Sequence, residues 1–372
     1  MKKVLFALTL AAAMLTACGK IENTPEDTTP HFYGLNLRDY GEGGTYTTRG
    51  ANPMTFYLDY ATMERTALCA VPNCDHTTTS CLAAQAQNAV IAGDYVYYFI
   101  HNEDMKETSE GPRFVIDSRF MRASLDNSET ELVCQFADAI PRDEDTLAVV
   151  GNKLYFIGYD PDVQVDEYGA SSRKSGGGFD YLCSIDLSSG AYKNYGLICY
   201  VEDEYPGADQ SSRAYLTAAD NGKIYITYSF SKELYDPINS PDKIPEWTHY
   251  NFEFDIETEE YSESELPPAL CAEEGVYAWL DDEGGKLHII KDGEEHVLDF
   301  PNYSNASKVL NGKLFVNSSD WVDLSDMTLH YIEADGLTYE AEAYFDGCYI
   351  MNRGGGSSYE KLTEEELLAL EK

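Results

Sequence analysis

Three cysteines and one histidine are concentrated in a short stretch, where Cys69, Cys74, His76 and Cys81 are spaced as C-x4-C-x-H-x4-C. Thiolate sulfur and imidazole nitrogen are ligands that Zn²⁺ prefers, and four of them complete the tetrahedral shell of a structural site. Pro72 and the polar run after His76 favour a loop that folds back on itself. The spacing therefore predicts one structural Zn²⁺ bound by these four side chains, with ligand atoms ~3–4.5 Å apart.

The same stretch admits two other interpretations. A disulfide between Cys69 and Cys81, or between Cys74 and Cys81, would suit an oxidising compartment and would leave one thiol free. Alternatively, the cysteines pack as small apolar side chains. The sequence leaves these alternatives open.

The amino terminus has the organisation of a secretory signal. Lys2 and Lys3 precede an apolar run at residues 4–13, which is too short to span a bilayer by itself. Leu15-Thr16-Ala17-Cys18 then resembles the bacterial lipobox, in which the cysteine is lipidated and the chain is cut just before it. We therefore predict a signal peptide at residues 1–17, lipidation of Cys18 and a flexible tether over 18–45. A single folded domain is expected at 46–372, on the extracytoplasmic face of the cell membrane.

The chain is strongly acidic, with a formal net charge of −39 from 65 acidic and 26 basic residues. Nucleic acids and anionic lipid surfaces are bound through basic patches. No cluster of basic residues competes with the acidic ones in this sequence. The charge therefore argues against a nucleic-acid partner, and the lipid on Cys18 is the only contact with the membrane that we predict.

A tight glycine turn that leads into an aromatic-rich strand recurs along the chain. The glycines of its six copies are Gly93, Gly151, Gly222, Gly275, Gly312 and Gly347. Each turn joins two strands with alternating apolar residues, and two further strands follow in most copies. Four antiparallel strands per unit describe a propeller blade, so the sequence predicts an all-β fold of the β-propeller type.

Both ends of the chain are predicted to take part in closing the ring. Strands at 54–60 and 65–69 precede the first complete unit, and the sixth unit shows only one clear hairpin, at 343–351. A ring closed in this way has no exposed sheet edge. Six blades follow if the two halves share one sheet, and a further strand at 359–362 makes seven blades the alternative.

The end of the chain carries two more local predictions. The last complete unit is expected to pair a strand at 328–333 with one at 337–341. Thr363 and Glu366 have the spacing of a capping box, which predicts a short C-terminal helix.

Three units carry long insertions between their second and third strands, at residues 101–112, 160–179 and 229–249. Connections at equivalent positions of successive blades emerge on one face of the disc, which we call the insert face. Insertions on one face of a repeat protein often mark its binding side, although such positions also tolerate drift. Aromatic residues predicted as contacts there are Tyr159, Tyr168, Tyr235 and Trp247.

The lipobox, the acidic tether, the Cys/His loop and the glycine turns together resemble a group of β-propeller lipoproteins from Gram-positive gut anaerobes. The matching residues of the loop are Leu68, Cys69, Pro72, Asn73, Cys74, His76, Cys81 and Ala83. The resemblance covers nearly the whole chain. It implies a propeller close to the TolB type, and it implies no activity.

Two functions are compatible with these observations. The first is a lipid-anchored, non-catalytic binding module for a protein, peptide or glycan, since the chain contains no G-x-S-x-G elbow and no phosphate-binding loop. The second is a carbohydrate-active enzyme with paired carboxylates at the mouth of the propeller. The abundance of acidic residues makes chance pairs unavoidable, so it does not favour catalysis. We therefore predict a binding module with no catalytic residues and no cofactor besides a structural Zn²⁺.

Overall fold

The structure of the chain is a computed structural model that describes residues 31–33, 43–47, 54–69, 71, 73–74, 76, 81–108, 111–125, 129–142, 147–160, 163–165, 171–173, 179–198, 211–220, 222–231, 248–267, 271–281, 285–300, 307–316, 320–332, 339–354 and 358–370. It is an all-β propeller arrangement with a short C-terminal helix. The fold class predicted from the repeats is therefore confirmed.

The chain begins with short strands. These are β1 (His31–Tyr33), then β2 (Gly44–Thr47), β3 (Phe56–Asp59) and β4 (Arg65–Ala67), followed by the short helix α1 (Leu82–Gln85). Strands β2, β3 and β4 pair in that order and form what we call the amino-terminal sheet.

Five blades follow, each an antiparallel sheet of four main strands. Blade 1 contains β5 (Gln87–Ala92), β6 (Tyr95–Thr108), β7 (Gly111–Ser124) and β8 (Thr130–Phe136). After β9 (Ile140–Pro141), blade 2 contains β10 (Leu147–Val150), β11 (Lys153–Asp160), β14 (Phe179–Asp186) and β15 (Tyr192–Leu197), with β12 (Val163–Val165) and β13 (Ser171–Arg173) in its insertion. Blade 3 contains β16 (Ser211–Asp220), β17 (Lys223–Ser231), β18 (Thr248–Asp255) and β19 (Glu260–Glu263).

The remaining elements complete the ring. Blade 4 contains β20 (Cys271–Glu273), β21 (Val276–Leu280), β22 (Lys286–Lys291) and β23 (Glu294–Asp299), and blade 5 contains β24 (Ser307–Leu310), β25 (Lys313–Val316), β26 (Asp320–Asp323) and β27 (Thr328–His330). The carboxy-terminal sheet contains β28 (Tyr339–Phe345), β29 (Cys348–Arg353) and β30 (Ser358–Thr363), and helix α2 (Glu364–Leu368) ends the described chain. The first strands of blades 2 to 5 lie side by side, which places them around the centre of the ring.

The glycine turns connect the first two strands of each unit, as the repeats predict. All six glycines have positive φ, between 57° at Gly151 and 78° at Gly347. Two-residue hairpin turns of this kind need positive φ, which glycine adopts without steric cost. The strands beside the turns bury their alternate residues between blades. Leu154, Phe156 and Ile185 of blade 2, for example, pack against Phe99 and Phe120 of blade 1.

Both end sheets take part in closing the ring. Leu58 and Tyr60 of the amino-terminal sheet pack against Ala343 and Ile350 of the carboxy-terminal sheet, and all four are buried. No backbone ladder joins the two sheets within the residues described above, so side-chain packing takes the place of a shared sheet. Taken together as one closing unit, the end sheets complete the six-bladed arrangement predicted from the sequence. Counted as separate hydrogen-bonded sheets, they make the ring seven-membered, which was the alternative.

One strand assignment is wrong. The predicted pairing of 328–333 with 337–341 does not occur, because β27 pairs with β26 and completes blade 5. Tyr339–Phe345 instead begins the next sheet, where it pairs with β29. The third strand of blade 5 is the short segment Asp320–Asp323, whose three buried residues hide the alternation on which the assignment relied.

The helix at the end of the chain is present over Glu364–Leu368. Thr363 caps it as predicted, because its hydroxyl accepts from the Glu366 backbone N–H at 3.3 Å. In return, the Glu366 carboxylate accepts from the Thr363 backbone N–H at 2.9 Å. This reciprocal pair is the capping box.

The first two insertions contain regular structure. In blade 1 the insertion extends the hairpin of β6 and β7, which stay in register from Tyr95–Ser124 to Thr108–Gly111. In blade 2 the insertion contains the hairpin of β12 and β13. Strand β12 of the second insertion lies beside β7, the strand into which the first insertion leads. Of the third insertion, residues 232–247 lie outside the described part of the chain.

Strand β1 lies within the segment predicted as a tether. His31–Tyr33 pairs antiparallel with β10, with His31 opposite Val149 and Tyr33 opposite Leu147. The signal peptide at 1–17 and the lipidated Cys18 lie outside the described residues and stay predictions. Among the helices that the structure describes, none is long and apolar enough to cross a membrane.

Candidate metal centre

Two short elements position the Cys/His loop, residues 69–81. Cys69 lies two residues after the last strand of the amino-terminal sheet, and its backbone N–H donates to the Ala67 carbonyl at 2.7 Å. Cys81 is the N-cap residue of α1. The loop thus starts where one sheet ends and finishes at the entry to blade 1.

The structure brings all four predicted ligands together. The sulfur atoms of Cys69, Cys74 and Cys81 and a ring nitrogen of His76 all lie within 4.8 Å of one another. The closest described approach is 3.4 Å, between His76 Nδ1 and Cys81 Sγ. The spread is slightly wider than the ~4.5 Å edge expected for a tetrahedral zinc shell. His76 points into the cluster of thiols, and this arrangement is the one that metal binding requires.

The loop backbone reverses direction through two residues in the left-handed region. Asn73 has a φ of 60° and His76 a φ of 55°. Such values are uncommon for residues other than glycine, and they concentrate at functional positions that the surrounding structure holds in place. At His76 the left-handed conformation is what turns the imidazole back towards the sulfur atoms.

The thiols differ in acidity within this cluster. Burial raises the pKa of Cys81 to about 11, and the neighbouring thiols Cys69 and Cys74 add to the rise. Burial also acts to raise the pKa of Cys69, but hydrogen bonds from the Val71 backbone and from its sulfur neighbours outweigh it, so that its pKa lies below the usual value. A thiolate is the form that binds a metal ion, so Cys69 is better prepared to bind one than Cys81.

The alternative of a disulfide is not realised in this structure. Cys69, Cys74 and Cys81 are all free thiols. Packing as small apolar residues accounts for part of their environment, since the three lie beside buried Leu68 and Tyr98. It does not account for the imidazole, which is a polar group placed among the three sulfur atoms.

The centre lies at the junction between the amino-terminal sheet and blade 1. Beside it, the Thr55 backbone N–H donates to the Ala83 carbonyl at 2.7 Å, and the Thr55 hydroxyl donates to the Ala86 carbonyl at 2.8 Å. The Leu68 backbone N–H donates to the Thr55 carbonyl at 3.0 Å. The two Thr55 bonds connect the amino-terminal sheet to α1 at the entry to blade 1, and a metal ion in the loop would add a second connection there.

The donor set determines what the centre can do. Three sulfur donors and one imidazole fill a tetrahedral shell and leave no position for water or substrate, which is the arrangement of a structural zinc site. Within the described ranges, this is the cluster of three or more histidine, cysteine or acidic side chains that has the geometry to hold a metal ion. The chemistry available here is structural cross-linking.

The aromatic contacts predicted on the insert face have mixed outcomes. Tyr159 is described and half-buried, and the guanidinium carbon of Arg142 lies 4.7 Å from its ring centre. Tyr168, Tyr235 and Trp247 lie outside the described residues. Tyr159 is therefore already stacked by an arginine and has only part of its surface available.

Two polar features of the insert face were missed by the sequence analysis. One is the ion pair of Arg142 with the buried Asp180. The other is a row of polar side chains across blade 3 that includes Arg213, Ser229 and His249. Alternation within β16, where Arg213 and Tyr215 flank the apolar Ala214, was the signal that could have indicated the row. The ion pair joins residues that are 38 positions apart, so no local sequence pattern predicts it.

Comparisons with known proteins assign neither a family nor a function to this chain. No protein-family model and no curated protein matches the chain. One of the solved structures that match is a polysaccharide lyase of family PL25, an ulvan lyase. It is 12% identical to this chain, the match covers 87% of this chain and 80% of that chain, and the TM-score is 0.38. TolB from Acinetobacter baumannii has 12% identity, covers 87% and 79% of the two chains, and has a TM-score of 0.22.

Proposed function

We propose that this protein is a lipid-anchored, extracytoplasmic β-propeller that binds a protein, peptide or glycan on its insert face without catalysis, and that a structural Zn²⁺ stabilises its closure. The observation that supports the binding role most directly is the contact between β12 and β7. The insertion of blade 2 thereby lies against the strand of blade 1 into which the first insertion leads. Extra structure of this kind on one face of a repeat fold is typical of a binding side.

Zinc is supported by the composition of the centre. The four donors are thiols and an imidazole, with no carboxylate among them, and this set favours Zn²⁺ over the oxygen-preferring Ca²⁺ and Mg²⁺. The position at the junction of two sheets favours a role in holding the ring closed. None of the four ligands belongs to the insertions at 101–112, 160–179 and 229–249, so metal binding and ligand binding can be varied by separate mutations.

The membrane anchor is supported by the sequence alone. Lys2 and Lys3, the apolar run after them and Leu15-Thr16-Ala17-Cys18 have the order of a lipoprotein leader. A labelled-palmitate incorporation assay on the wild type and a Cys18→Ala variant tests it. Lipid on the wild type and none on the variant is the expected result, and equal labelling of both would contradict the anchor.

Elemental analysis of the purified chain tests the metal. About one zinc per chain is expected for the wild type, and much less for Cys74→Ser and His76→Ala. Cys348→Ser is the matched control, because Cys348 is a free thiol in a different sheet. Zinc far below one per wild-type chain, or full zinc in both loop variants, would contradict the proposal.

Shortening the two insertions tests the binding role. Asn102 lies opposite Asp117 and Asp160 lies opposite Phe179, so Asn-Gly turns that replace 103–116 and 161–178 would reconnect strands already in register. Partners captured by the wild type from an extracellular extract are expected to be lost, while thermal stability and zinc content stay unchanged. Capture that persists in the shortened variant would end this proposal. Cleavage of added polysaccharides by the wild type would contradict the absence of catalysis.

A further inference from the structure

One face of blade 3 differs from the other blade surfaces that are packed together. Between blades 4 and 5 the contacts are made by apolar residues, such as Leu287 and Ile289 against Leu314 and Val322. The face that blade 3 turns towards blade 4 instead carries two rows of polar side chains. Buried polar groups reduce stability unless they are hydrogen-bonded, and the side chains of these rows are bonded to one another.

The first row runs across three strands. Arg213 on β16 lies opposite Ser229 on β17, and Ser229 lies opposite His249 on β18. Residues directly opposite each other in antiparallel strands point to the same face of the sheet. The row therefore has a guanidinium group at one end, an imidazole at the other and a hydroxyl between them.

The second row is one step deeper along the same strands. Tyr215 lies opposite Thr227, which lies opposite Asn251. Hydrogen bonds run within and between the rows. Ser229 Oγ lies 2.8 Å from His249 Nδ1 and 3.0 Å from the Tyr215 hydroxyl, and the Thr227 hydroxyl donates to Asn251 Oδ1 at 2.9 Å.

Blades 3 and 4 touch one step deeper still. The rings of Tyr225 on blade 3 and Tyr277 on blade 4 lie 5.4 Å apart, edge to face. From this contact outward, the polar rows lead along β17 and β18 to the third insertion, which connects Ser231 with Thr248. His249 is exposed and Arg213 half-buried, so this end of the face is open to solvent.

We infer that this face of blade 3 binds a glycan that carries a carboxylate group, namely a uronic acid, at the edge of the insert face. The inference deepens the proposed function and rests on it, since it names the ligand class of that face. The ligand would meet Arg213 and His249 in the outer row and Tyr215 and Asn251 in the inner row. Ser229 and Thr227, 5% and 1% exposed, hold these side chains in place by hydrogen bonds.

The chemistry of the rows supports this class of ligand. Hydroxyl, amide and imidazole groups both donate and accept, which suits the hydroxyls of a sugar ring. A guanidinium group forms two parallel hydrogen bonds with a carboxylate, and these charge-assisted bonds are the stronger ones. A cation at this position stands out in a chain of net charge −39, whose overall field repels anionic ligands. Arg213 also acts electrostatically on the buried Asp180, so the ligand carboxylate would be its second anionic neighbour.

Titration calorimetry on the detergent-solubilised full chain tests the inference. The probes are tetramers of glucuronate, galacturonate and mannuronate, each with its methyl ester, which keeps the ring and removes the charge. At least one free acid is expected to bind, and its methyl ester at least roughly tenfold more weakly, because the charged hydrogen bonds are lost. Arg213→Gln is expected to weaken the acid by a similar factor while leaving the ester unchanged.

His249→Gln and the matched control Arg119→Gln complete the experiment. His249→Gln should weaken binding of the acid and of the ester alike, because the imidazole contacts the sugar hydroxyls and not the carboxylate. Arg119 is a half-exposed arginine on blade 1 that pairs with Asp117, so its replacement should change neither affinity. Absence of binding by all three acids, or equal affinity of acid and ester, would overturn the inference.

Two results separate this inference from the proposed function. If no uronate binds but shortening the first two insertions abolishes capture of another partner, the insert face binds that partner and the uronate site is wrong. If a uronate binds through Arg213 and binding persists in the shortened variant, the site is correct and the binding role of the first two insertions is wrong.

Discussion

Arg142 and Asp180 form an ion pair that connects three parts of the propeller. The Arg142 guanidinium donates to Asp180 Oδ1 through Nε at 2.8 Å and through a terminal nitrogen at 2.5 Å. The other carboxylate oxygen accepts from the Ala214 backbone N–H at 2.6 Å. The Asp180 side chain is only 1% exposed. Burial raises the pKa of Asp180, while the charge of Arg142 and the Ala214 N–H act against that rise.

Breaking this pair from one side should destabilise the fold strongly. Asp180→Asn leaves the Arg142 guanidinium without its counter-charge in a mostly buried place, and a loss of about 3 kcal/mol in the free energy of unfolding is expected. The double variant Arg142→Met with Asp180→Leu should lose clearly less, because no unpaired charge remains. Urea denaturation measures both. A single variant within ~0.5 kcal/mol of wild type would contradict the connecting role.

Removing zinc should loosen one junction and leave the remaining blades folded. In the presence of a strong chelator, amide hydrogen exchange at Thr55 and Leu68 is expected to accelerate, because their bonds lie at the junction that the metal stabilises. Ile224 and Leu287, buried in blades 3 and 4, serve as internal controls and should keep their protection. Uniform loss of protection across all blades would show that the metal supports the whole fold instead.

Gly190 should not tolerate a side chain, because the backbone of Val133 occupies the space that a Cβ would need. A Cβ added there would lie 2.4 Å from the Val133 carbonyl oxygen of blade 1, and φ is +70°. Gly222 has a similar φ of +77° with no atom within 4 Å of the added Cβ. Gly190→Ala is therefore expected to be ~2 kcal/mol more destabilising than Gly222→Ala, for which only the ~1 kcal/mol of left-handed strain applies. Equal losses in thermal unfolding would mean that the neighbour shifts freely.

Acid should weaken the turns between the third and fourth strands of several blades. Asp186 accepts from the backbone N–H groups of Ser188 and Ser189 at 3.1 and 2.8 Å. Burial acts to raise the pKa of Asp186, but these bonds outweigh it and lower the pKa below the usual value. Hydrogen bonds to Ser325 likewise lower the pKa of Asp323.

The sign of the pH dependence follows from these directions. A depressed pKa in the folded state contributes stability above the unfolded pKa of about 3.9, and that stability is lost as pH falls through the folded pKa. Asp186→Asn and Asp323→Asn should each be less stable than wild type at pH 7, by about 1 kcal/mol, with the difference shrinking below pH ~4. Glu257→Gln, an exposed acid in the equivalent turn of blade 3, is the control. A difference that stays constant with pH would contradict the assignment.

Closure by side-chain packing makes the end sheets sensitive to cavities. Ile350 is fully buried against Leu58 and Tyr60 across the two end sheets. Ile350→Ala should cost about 2–5 kcal/mol, as deletion of a buried aliphatic side chain does. Val297→Ala is the surface control, because Val297 is 51% exposed. Guanidinium denaturation measures both, and a loss below ~1 kcal/mol at Ile350 would indicate that some other contact closes the ring.

The sequence predicted what is local and periodic. The turns at Gly93 and Gly347 were predictable because a tight hairpin needs positive φ. The last helix was predictable from Thr363 because a capping box is formed by residues three apart. The turn at residues 188–190 was predicted, but the parts that Asp186 and Asp323 play in their turns were overlooked. Each aspartate accepts from the backbone N–H of a serine two residues further on. Their spacing could have been recognised.

Other features depend on which distant segments of the chain contact each other in the fold. The spacing of residues in the sequence does not indicate those contacts. Leu58 and Ile350 are 292 positions apart, and whether their segments share a ladder or only pack is decided by the whole ring. The Cys/His loop is the opposite case. Its four ligands lie so close in sequence that their convergence could be predicted, whereas the oxidation state of the thiols depends on the compartment and not on the order of residues.

The direction of β1 determines which way the disc faces. Strand β10 runs from the insert face to its glycine turn at Gly151, and β1 runs antiparallel to it, with His31 nearest that turn. The chain before His31 therefore leaves the disc on the side opposite the insertions. If Cys18 is held in the bilayer, as proposed, the 13 intervening steps reach at most about 45 Å. The glycine turns of the propeller would then face the membrane at a short distance, and its insert face would point away from the membrane towards the surrounding medium.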